Sequence, residues 1–301
     1  MLRVFITGIS GFIGQHLSRQ MKAEGHLVTG TTFNVNDTEH IQCDIRNPEE
    51  IRVAIAEANP DIIIHLAAIS SVTLGKTLEY YECNVVGTEN VIAAVKGLDG
   101  RRRLVFVSSA AVYGNQSVEV LTEDLQPLPV SHYGMSKFVC ERMLANETEN
   151  IDYTIIRPFN FIGEGQSDNF IVPKLINHFV ERAPSIKLGN LVPVRDYLDV
   201  QTACEIISDL ATNPKAIGET VNLCSGVGTS VRELLDILIK LTGHEIEVIA
   251  DPKFFRKSEV WRLLGSPDKL HRLCSGGNKP RDLESIISQI LDTAVIKKES
   301  I

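Results

Sequence analysis

The residues Thr7-Gly8-Ile9-Ser10-Gly11-Phe12-Ile13-Gly14 stand directly between a strand-like run, Leu2 to Thr7, and a segment of helical periodicity from Ile13 to Ala23. Three glycines spaced this way at a strand-to-helix junction leave few choices of fold. Gly8 permits the tight turn, Gly11 lets the backbone approach a pyrophosphate, and Gly14 lets the helix pack closely on the strand. The amides from Ser10 through Phe12 and Ile13 then face an anion at the positive end of the helix dipole. An ordinary glycine turn is the bland alternative. It fits less well because the loop sits inside a repeating strand-helix pattern.

That repeat continues. Short β-branched runs at Leu2–Thr7, Ile62–Leu66, Leu104–Val107 and Tyr153–Ile156 alternate with helical segments at Ile13–Ala23, Glu49–Glu57, Tyr80–Val95 and Tyr133–Ala145. The alternation predicts an α/β protein with a Rossmann-type, doubly wound parallel sheet covered on both faces. Beyond Pro158 the rhythm breaks. Helices are expected near Phe170–Arg182, Val200–Ala211, Ser230–Thr242 and Leu283–Leu291, with extended stretches at Ile186–Leu188, Thr220–Leu223 and Glu245–Ile249. The expected division is a dinucleotide-binding domain of residues 1–160 plus about 196–225, and a smaller α/β substrate lobe of 161–195 and 226–301.

The end of the second strand bears on which dinucleotide is bound. Leu27 to Thr32 ends in Thr31-Thr32-Phe33, where a carboxylate would bond the ribose hydroxyls of NAD and repel the 2′-phosphate of NADP. Its absence favours NADP(H), with NAD(H) still possible, since no arginine adjoins Thr32 in the sequence. Asp44, followed by Ile45, is expected at the adenine, with a turn or capping role as its alternative.

The chemistry points to Tyr133-Gly-Met-Ser-Lys137, which sets a phenol and an ammonium one helical turn apart. A lysine close by is expected to lower the phenol pKa towards a useful range. Val107-Ser108-Ser109 ends a strand, where open α/β sheets bind ligands, so a serine hydroxyl there can reach a substrate oxygen.

With these pieces in view, the chain resembles the extended short-chain dehydrogenase/reductase family, whose members modify nucleotide-sugars. The resemblance rests on the glycine loop, His65-Leu66-Ala67-Ala68, Asn84-Val-Val-Gly87-Thr88, Ser108-Ser109-Ala-Ala-Val-Tyr113-Gly114, Tyr133-x-x-x-Lys137 and Arg157-Pro158-Phe159-Asn160. It implies that Ser109, Tyr133 and Lys137 are catalytic. It also implies that Leu66, Ala67, Ala68, Val107 and Pro158 line the cofactor, and that Asn84 contributes to that site or orders its surroundings. Ala110-Ala111 stand where a dehydratase of this family carries an Asp-Glu pair, which disfavours dehydration.

The second half is similar to a narrower group, the reductases of GDP-4-keto-6-deoxy-mannose in deoxysugar biosynthesis, through Arg157–Gln166, Gly189–Tyr197, Asn222–Gly226 and the stretch from Arg256 to Ser266. Arg195 and Arg256 offer bidentate donors to a diphosphate. Glu259 is expected at the ribose hydroxyls, and Asn160, with Ser108 and Ser109, at the cofactor or sugar. Gly276-Gly277-Asn278-Lys279-Pro280 departs from the group's usual Gly-Trp-Lys-Pro. A dTDP-sugar in place of the GDP-sugar, a 4-epimerase with tightly held NAD, and a non-catalytic NADP sensor are the rival readings.

The remaining features bound the partners. A net charge of -8 argues against nucleic acid or anionic membrane as partner. Six scattered cysteines with no C-x-x-C pair point to reduced thiols, no disulfide framework and no metal site. A cytoplasmic location is the default expectation, and the family resemblance implies a homodimer joined through the helices at Tyr80–Val95 and Tyr133–Ala145.

Overall fold

The computed structural model describes residues 1–70, 76–147, 151–255, 259–274 and 281–299. In chain order its elements begin β1 (Arg3–Thr7), α1 (Phe12–Ala23), β2 (Leu27–Thr32), β3 (Ile41–Gln42), α2 (Pro48–Ala58) and β4 (Ile62–His65). Then come α3 (Thr77–Tyr80), a π-helical turn (Tyr81–Val86), α4 (Gly87–Lys96), β5 (Arg102–Val107), α5 (His132–Ala145) and β6 (Ile151–Pro158). The second half follows with β7 (Asn160–Ile162), α6 (Ile171–Val180), β8 (Ser185–Leu188), β9 (Val194–Asp199), α7 (Val200–Thr212) and β10 (Thr220–Leu223). Last are β11 (Gly228–Ser230), α8 (Val231–Thr242), β12 (Glu247–Ala250), β13 (Arg262–Leu263), α9 (Asp268–Leu273) and α10 (Leu283–Glu299).

The seven-stranded sheet runs β10-β6-β5-β4-β1-β2-β3 with every pairing parallel. Strand order reverses between β1 and β4, so the crevice at their carboxyl ends is where an open sheet of this kind receives a ligand. β4 reads Ile-Ile-Ile-His with every residue buried, as expected of a strand covered on both faces. One face packs against α1 and α7 through Leu17, Met21, Ala203, Ile207 and Leu210. The other packs against α2, α4 and α5 through Ile51, Ile55, Val91, Val95 and Leu144.

A separate core forms where α6, α8 and α10 cover β8 and β9, built on Leu175, Phe179, Ile186, Leu234 and Ile287. The helix ends here follow local chemistry. Ser230 and Glu233 form a capping box at the start of α8, and Gly243 closes it in the left-handed conformation at φ 61°.

Two parts differ from the sequence expectation. The helix expected as one piece over Tyr80–Val95 contains a π turn between α3 and α4. Periodicity does not register it, because the inserted residue shifts the phase only locally. The small sheet β11-β9-β13, with β7 on β9, is not expected from the sequence pattern. Its strands are short, and β9 reads Val-Arg-Asp-Tyr-Leu-Asp, with no apolar run for the pattern to detect.

The glycine loop depends on close approach. A Cβ on Gly14 would lie 2.3 Å from the Gly8 carbonyl oxygen and 2.6 Å from that of Ile9. Neither is a side chain that can swing away. Gly14→Ala should therefore destabilise the protein by about 1–3 kcal/mol. Gly97→Ala, where the nearest atom would be in ordinary contact at 3.4 Å and φ is -74°, should be neutral or slightly stabilising. Thermal unfolding of the two variants checks this, and equal midpoints would contradict the close-packing account.

Candidate active site

The loop after β1 turns at Gly8, whose φ of 73° favours glycine. A Cβ there would meet Ala67 at 3.1 Å, so Gly8 and the Leu66-Ala67-Ala68 segment after β4 form the two walls of the crevice. Gly11 caps α1 without any side-chain hydrogen bond, and the first turn of that helix holds no acid. Its amides are thus available to a pyrophosphate, with Phe12 and Ile13 half-buried beside them. These residues fit a bound dinucleotide.

A buried polar chain fixes the loop from below. His65 is 2 % exposed, with Nδ1 2.7 Å from Thr7 Oγ1 and Nε2 3.0 Å from Thr88 Oγ1. Thr7 Oγ1 also accepts from the Ala67 amide at 3.1 Å. Burial, aided by the charge of Lys137, pushes the His65 pKa down to about 3. His65 is therefore a neutral strut joining both walls.

At the adenosine end the structure revises several expectations. Thr32 is buried, and its Oγ1 lies 2.5 Å from Ser10 Oγ while accepting from the Asn34 amide at 3.0 Å. It ties the glycine loop to β2. Asp44 is held by Arg46 through Nε at 2.9 Å and Nη2 at 2.6 Å, a pairing that keeps its carboxyl below the usual range. Ile45 belongs to the core, packed on Gly87, and its carbonyl accepts from Asn90 at 2.9 Å. No arginine adjoins Thr32 in sequence, yet the fold brings the Arg46 guanidinium to 5.7 Å from the Phe33 ring.

Two of the residues expected to carry chemistry, Ser109 and Tyr133, come together, with Lys137 one turn further along α5. Ser109 follows β5, and its Oγ accepts from the Ala111 amide at 3.1 Å as the N-cap of a short turn. Ser131 caps α5 by accepting from the Gly134 amide, which fixes where Tyr133 enters the site. The Tyr133 phenol is buried and hydrogen-bonds Ser109, and its ring centroid lies 6.2 Å from that of Tyr80. Burial pushes its pKa up to about 12, against the lowering effect of Ser109. Lys137, expected to lower it, is not among the groups that act on this phenol, and burial is the largest influence. Lys137 lies with Nζ 4.5 Å from the centre of the Phe106 ring, and burial lowers its pKa to about 8.

Asn84 orders its neighbourhood. Its Oδ1 accepts from the Ile69 amide at 2.8 Å and its Nδ2 donates to Ser136 Oγ at 2.9 Å. The π turn that carries it thus clamps the segment after β4 onto α5. Ser108, expected at the substrate, turns away from it: 2 % exposed, it donates to Glu141 Oε1 at 2.5 Å. The reason is strand alternation, which sends consecutive side chains to opposite sides. Val107 and Pro158 are buried at the ends of β5 and β6. Asn160 donates to the Asp196 carbonyl at 3.1 Å.

Arg195 and Glu259, expected to hold different parts of one ligand, pair with each other at 3.2 Å with side chains 14 % and 15 % exposed. Arg256 and the Gly276–Pro280 stretch lie outside the described residues. Sequence reasoning missed Glu141, which sits four residues beyond Lys137 and eight beyond Tyr133 on one face of α5. That spacing was the available signal.

Comparison with known proteins decides the family. Residues 4–224 match the NAD dependent epimerase/dehydratase family. The chain belongs to it. As an enzyme of this family it is an NAD(P)-dependent oxidoreductase of the extended short-chain type. It is 32% identical over 299 residues to the GDP-6-deoxy-D-talose 4-dehydrogenase of Aggregatibacter actinomycetemcomitans, covering 98% of this chain and 99% of that one. It is 30% identical to the GDP-6-deoxy-D-mannose reductase of Pseudomonas aeruginosa, covering 89% of this chain and 90% of the other. The structure of RMD from Pseudomonas aeruginosa complexed with NADPH superposes with a TM-score of 0.86 at 28% identity, covering 99% and 100% of the chains. Among the described residues no helix is long and apolar enough to cross a membrane.

His65 makes a pH prediction. Its folded pKa of about 3 lies below the ordinary 6.5, so below pH 6.5 the unfolded chain binds a proton that the folded chain does not. Its contribution should therefore fall on acidification between those values, by up to about 1.4 kcal/mol per pH unit. His65→Gln should lose stability at pH 7, and its deficit relative to wild type should shrink towards pH 5. A deficit constant with pH would contradict the neutral buried histidine.

Proposed function

We propose that the protein is an NADPH-dependent reductase of a nucleotide-diphospho-4-keto-6-deoxyhexose, with a GDP-linked sugar as first choice and a dTDP-linked one as second. One observation carries this reading. Tyr133 is a buried phenol hydrogen-bonded to Ser109, with Lys137 one turn further along α5, an arrangement able to hand a proton to a carbonyl oxygen as hydride arrives. The relatives named for 4-dehydrogenation and reduction of GDP-6-deoxyhexoses support the sugar class.

The residues then divide the work. Gly8, Gly11 and the start of α1 hold the pyrophosphate, and Ala67 closes the opposite wall. The bound dinucleotide supplies the hydride for C4. Ser109 donates a hydrogen bond to the C4 carbonyl oxygen, and Tyr133 passes its proton to that oxygen as charge develops there. Polarisation of this kind is typically worth about 2.7–4 kcal/mol per donor. Lys137 offsets the negative charge left on the tyrosine oxygen. Arg195, released from Glu259, and Arg256 take the diphosphate, leaving Glu259 to the ribose. Thr32 in place of a carboxylate, together with Arg46 beside Phe33, supports the 2′-phosphate of NADP. Residues 161–195 and 226–301 form the sugar-binding lobe on this reading. Val86, Met135 and Val139 stay exposed on the π turn and α5, which supports a homodimer through these helices.

The purified protein should oxidise NADPH stoichiometrically with GDP- or dTDP-4-keto-6-deoxyhexose, and NADH, tested separately, more slowly. Tyr133→Phe should lower that turnover by roughly 100-fold or more and still bind the cofactor. No oxidation with either sugar, with NAD retained through purification, would favour the 4-epimerase.

A further inference from the structure

Directly beneath the site lies a charged cluster that the proposed reaction does not itself use. Glu141, 3 % exposed, projects from α5 one turn beyond Lys137. Its Oε1 accepts from Ser108 Oγ at 2.5 Å and from Arg157 Nε at 3.0 Å, and its Oε2 accepts from Arg157 Nη2 at 2.7 Å. Arg157, 5 % exposed on β6, extends the chain by donating from Nη1 to the Tyr113 hydroxyl at 3.0 Å, with its guanidinium 4.9 Å over that ring. Tyr113 in turn donates to Asn222 Oδ1 at 2.7 Å, and Asn222 holds the Leu121 carbonyl at 2.9 Å.

Each link comes from a different element: the end of β5, α5, β6, β10 and the turn after Ser109. Fold stability alone does not call for a bidentate ion pair here, since apolar residues of similar size serve a buried position as well or better. What the pair does supply is a fixed geometry. Ser108 is the residue before Ser109, so a bond that pins the Ser108 side chain also sets the backbone from which the Ser109 hydroxyl is presented. The carboxylate is also a buried negative charge on the same helix face as Lys137 and Tyr133.

We propose that Glu141 is a positioning residue of the reaction, holding Ser109 through Ser108 and keeping Lys137 charged. Arg157 fixes the carboxylate for both tasks. The inference rests on Ser109, Tyr133 and Lys137 being the reacting group, as in the proposed function. The electrostatics agree with the geometry. Burial lowers the Lys137 pKa, and Cys140, Glu141 and Cys83 act to raise it, with Phe106 beneath the ammonium and the neutral His65 behind it on β4. Burial opposes the charge on Arg157 too, but the hydrogen bonds and field of Glu141 outweigh it and hold the guanidinium charged.

The test compares Glu141→Gln and Ser108→Ala with wild type, on whichever 4-keto sugar the wild type reduces. Thermal unfolding and cofactor binding are measured in parallel. Glu141→Gln should lower kcat by about 10- to 100-fold, the range expected when a reacting group is displaced slightly. Cofactor affinity should be unchanged, and the basic limb of the kcat profile should move to lower pH as Lys137 loses its proton more readily. Ser108→Ala, which keeps the ion pair, should lower kcat without moving that limb. Folded variants with wild-type kcat and pH profile would overturn the proposal, and an unmoved limb in Glu141→Gln would strike out its lysine half. If Glu141→Gln does not fold, Ser108→Ala decides, and wild-type kcat there is the negative result. If wild type reduces neither sugar, the reductase reading has failed. The same variants are then compared in 4-epimerisation, which uses the same three residues.

Discussion

The closeness with which α1 can lie against the first strands governs the rest of this structure. Gly14 on α1 sits against the Gly8 and Ile9 carbonyls, and a Cβ there would fall 2.3 Å from the first and 2.6 Å from the second. With a side chain at Gly14 the helix would stand off the end of β1 and its amides would leave the crevice. The close contact is held on both sides, by the Leu17 and Met21 core above and by the Thr7–His65–Thr88 chain below. A binding loop of backbone amides is precise only if the elements carrying it cannot shift.

The carboxyl edge of the sheet then joins two different kinds of construction. On the β1–β4 side the groups are backbone amides and small residues suited to a pyrophosphate. On the β5–β6 side they are side chains from several elements, linked by one buried ion pair. Breaking such a pair by removing one partner costs about 3–5 kcal/mol, because the other charge is left without compensation. The Glu141–Arg157 pair is therefore a point at which stability and reactivity meet. The lobe beyond β7 connects to this edge through Asp196, whose carboxylate accepts from the Ser225 and Gly226 amides at 2.7 and 2.9 Å. Burial raises the Asp196 pKa while these bonds act to lower it.

The large sheet was legible in the sequence because each parallel strand, buried on both faces, is an apolar run, and each crossover helix has an apolar stripe. The glycine loop was legible because backbone conformation restricts which residue can stand there. The meeting of Ser109 with Tyr133 was legible through helix spacing and the end of β5, and Lys137 follows one turn later on the same helix. Other parts were hidden for physical reasons. Ser108 and Ser109 are adjacent in sequence and point to opposite sides. Arg46 reaches Phe33 only through the β2–β3 pairing, and Arg195 finds Glu259 only through the pairing of β9 with β13. Long-range pairs of charged side chains leave no periodic trace, so sequence reasoning could name the arginine and the glutamate without seeing that they meet.

The central claim is that Tyr133 and its neighbours complete a hydride transfer to C4 of a nucleotide-bound sugar. The most direct measurement uses NADPH deuterated at the transferred position of the nicotinamide and locates the label in the product by NMR. The account predicts one deuterium at C4 of the sugar and none from solvent at C3 or C5. Product without label at C4, or a 4-hydroxyl sugar inverted with no net loss of the reduced nicotinamide, would contradict it.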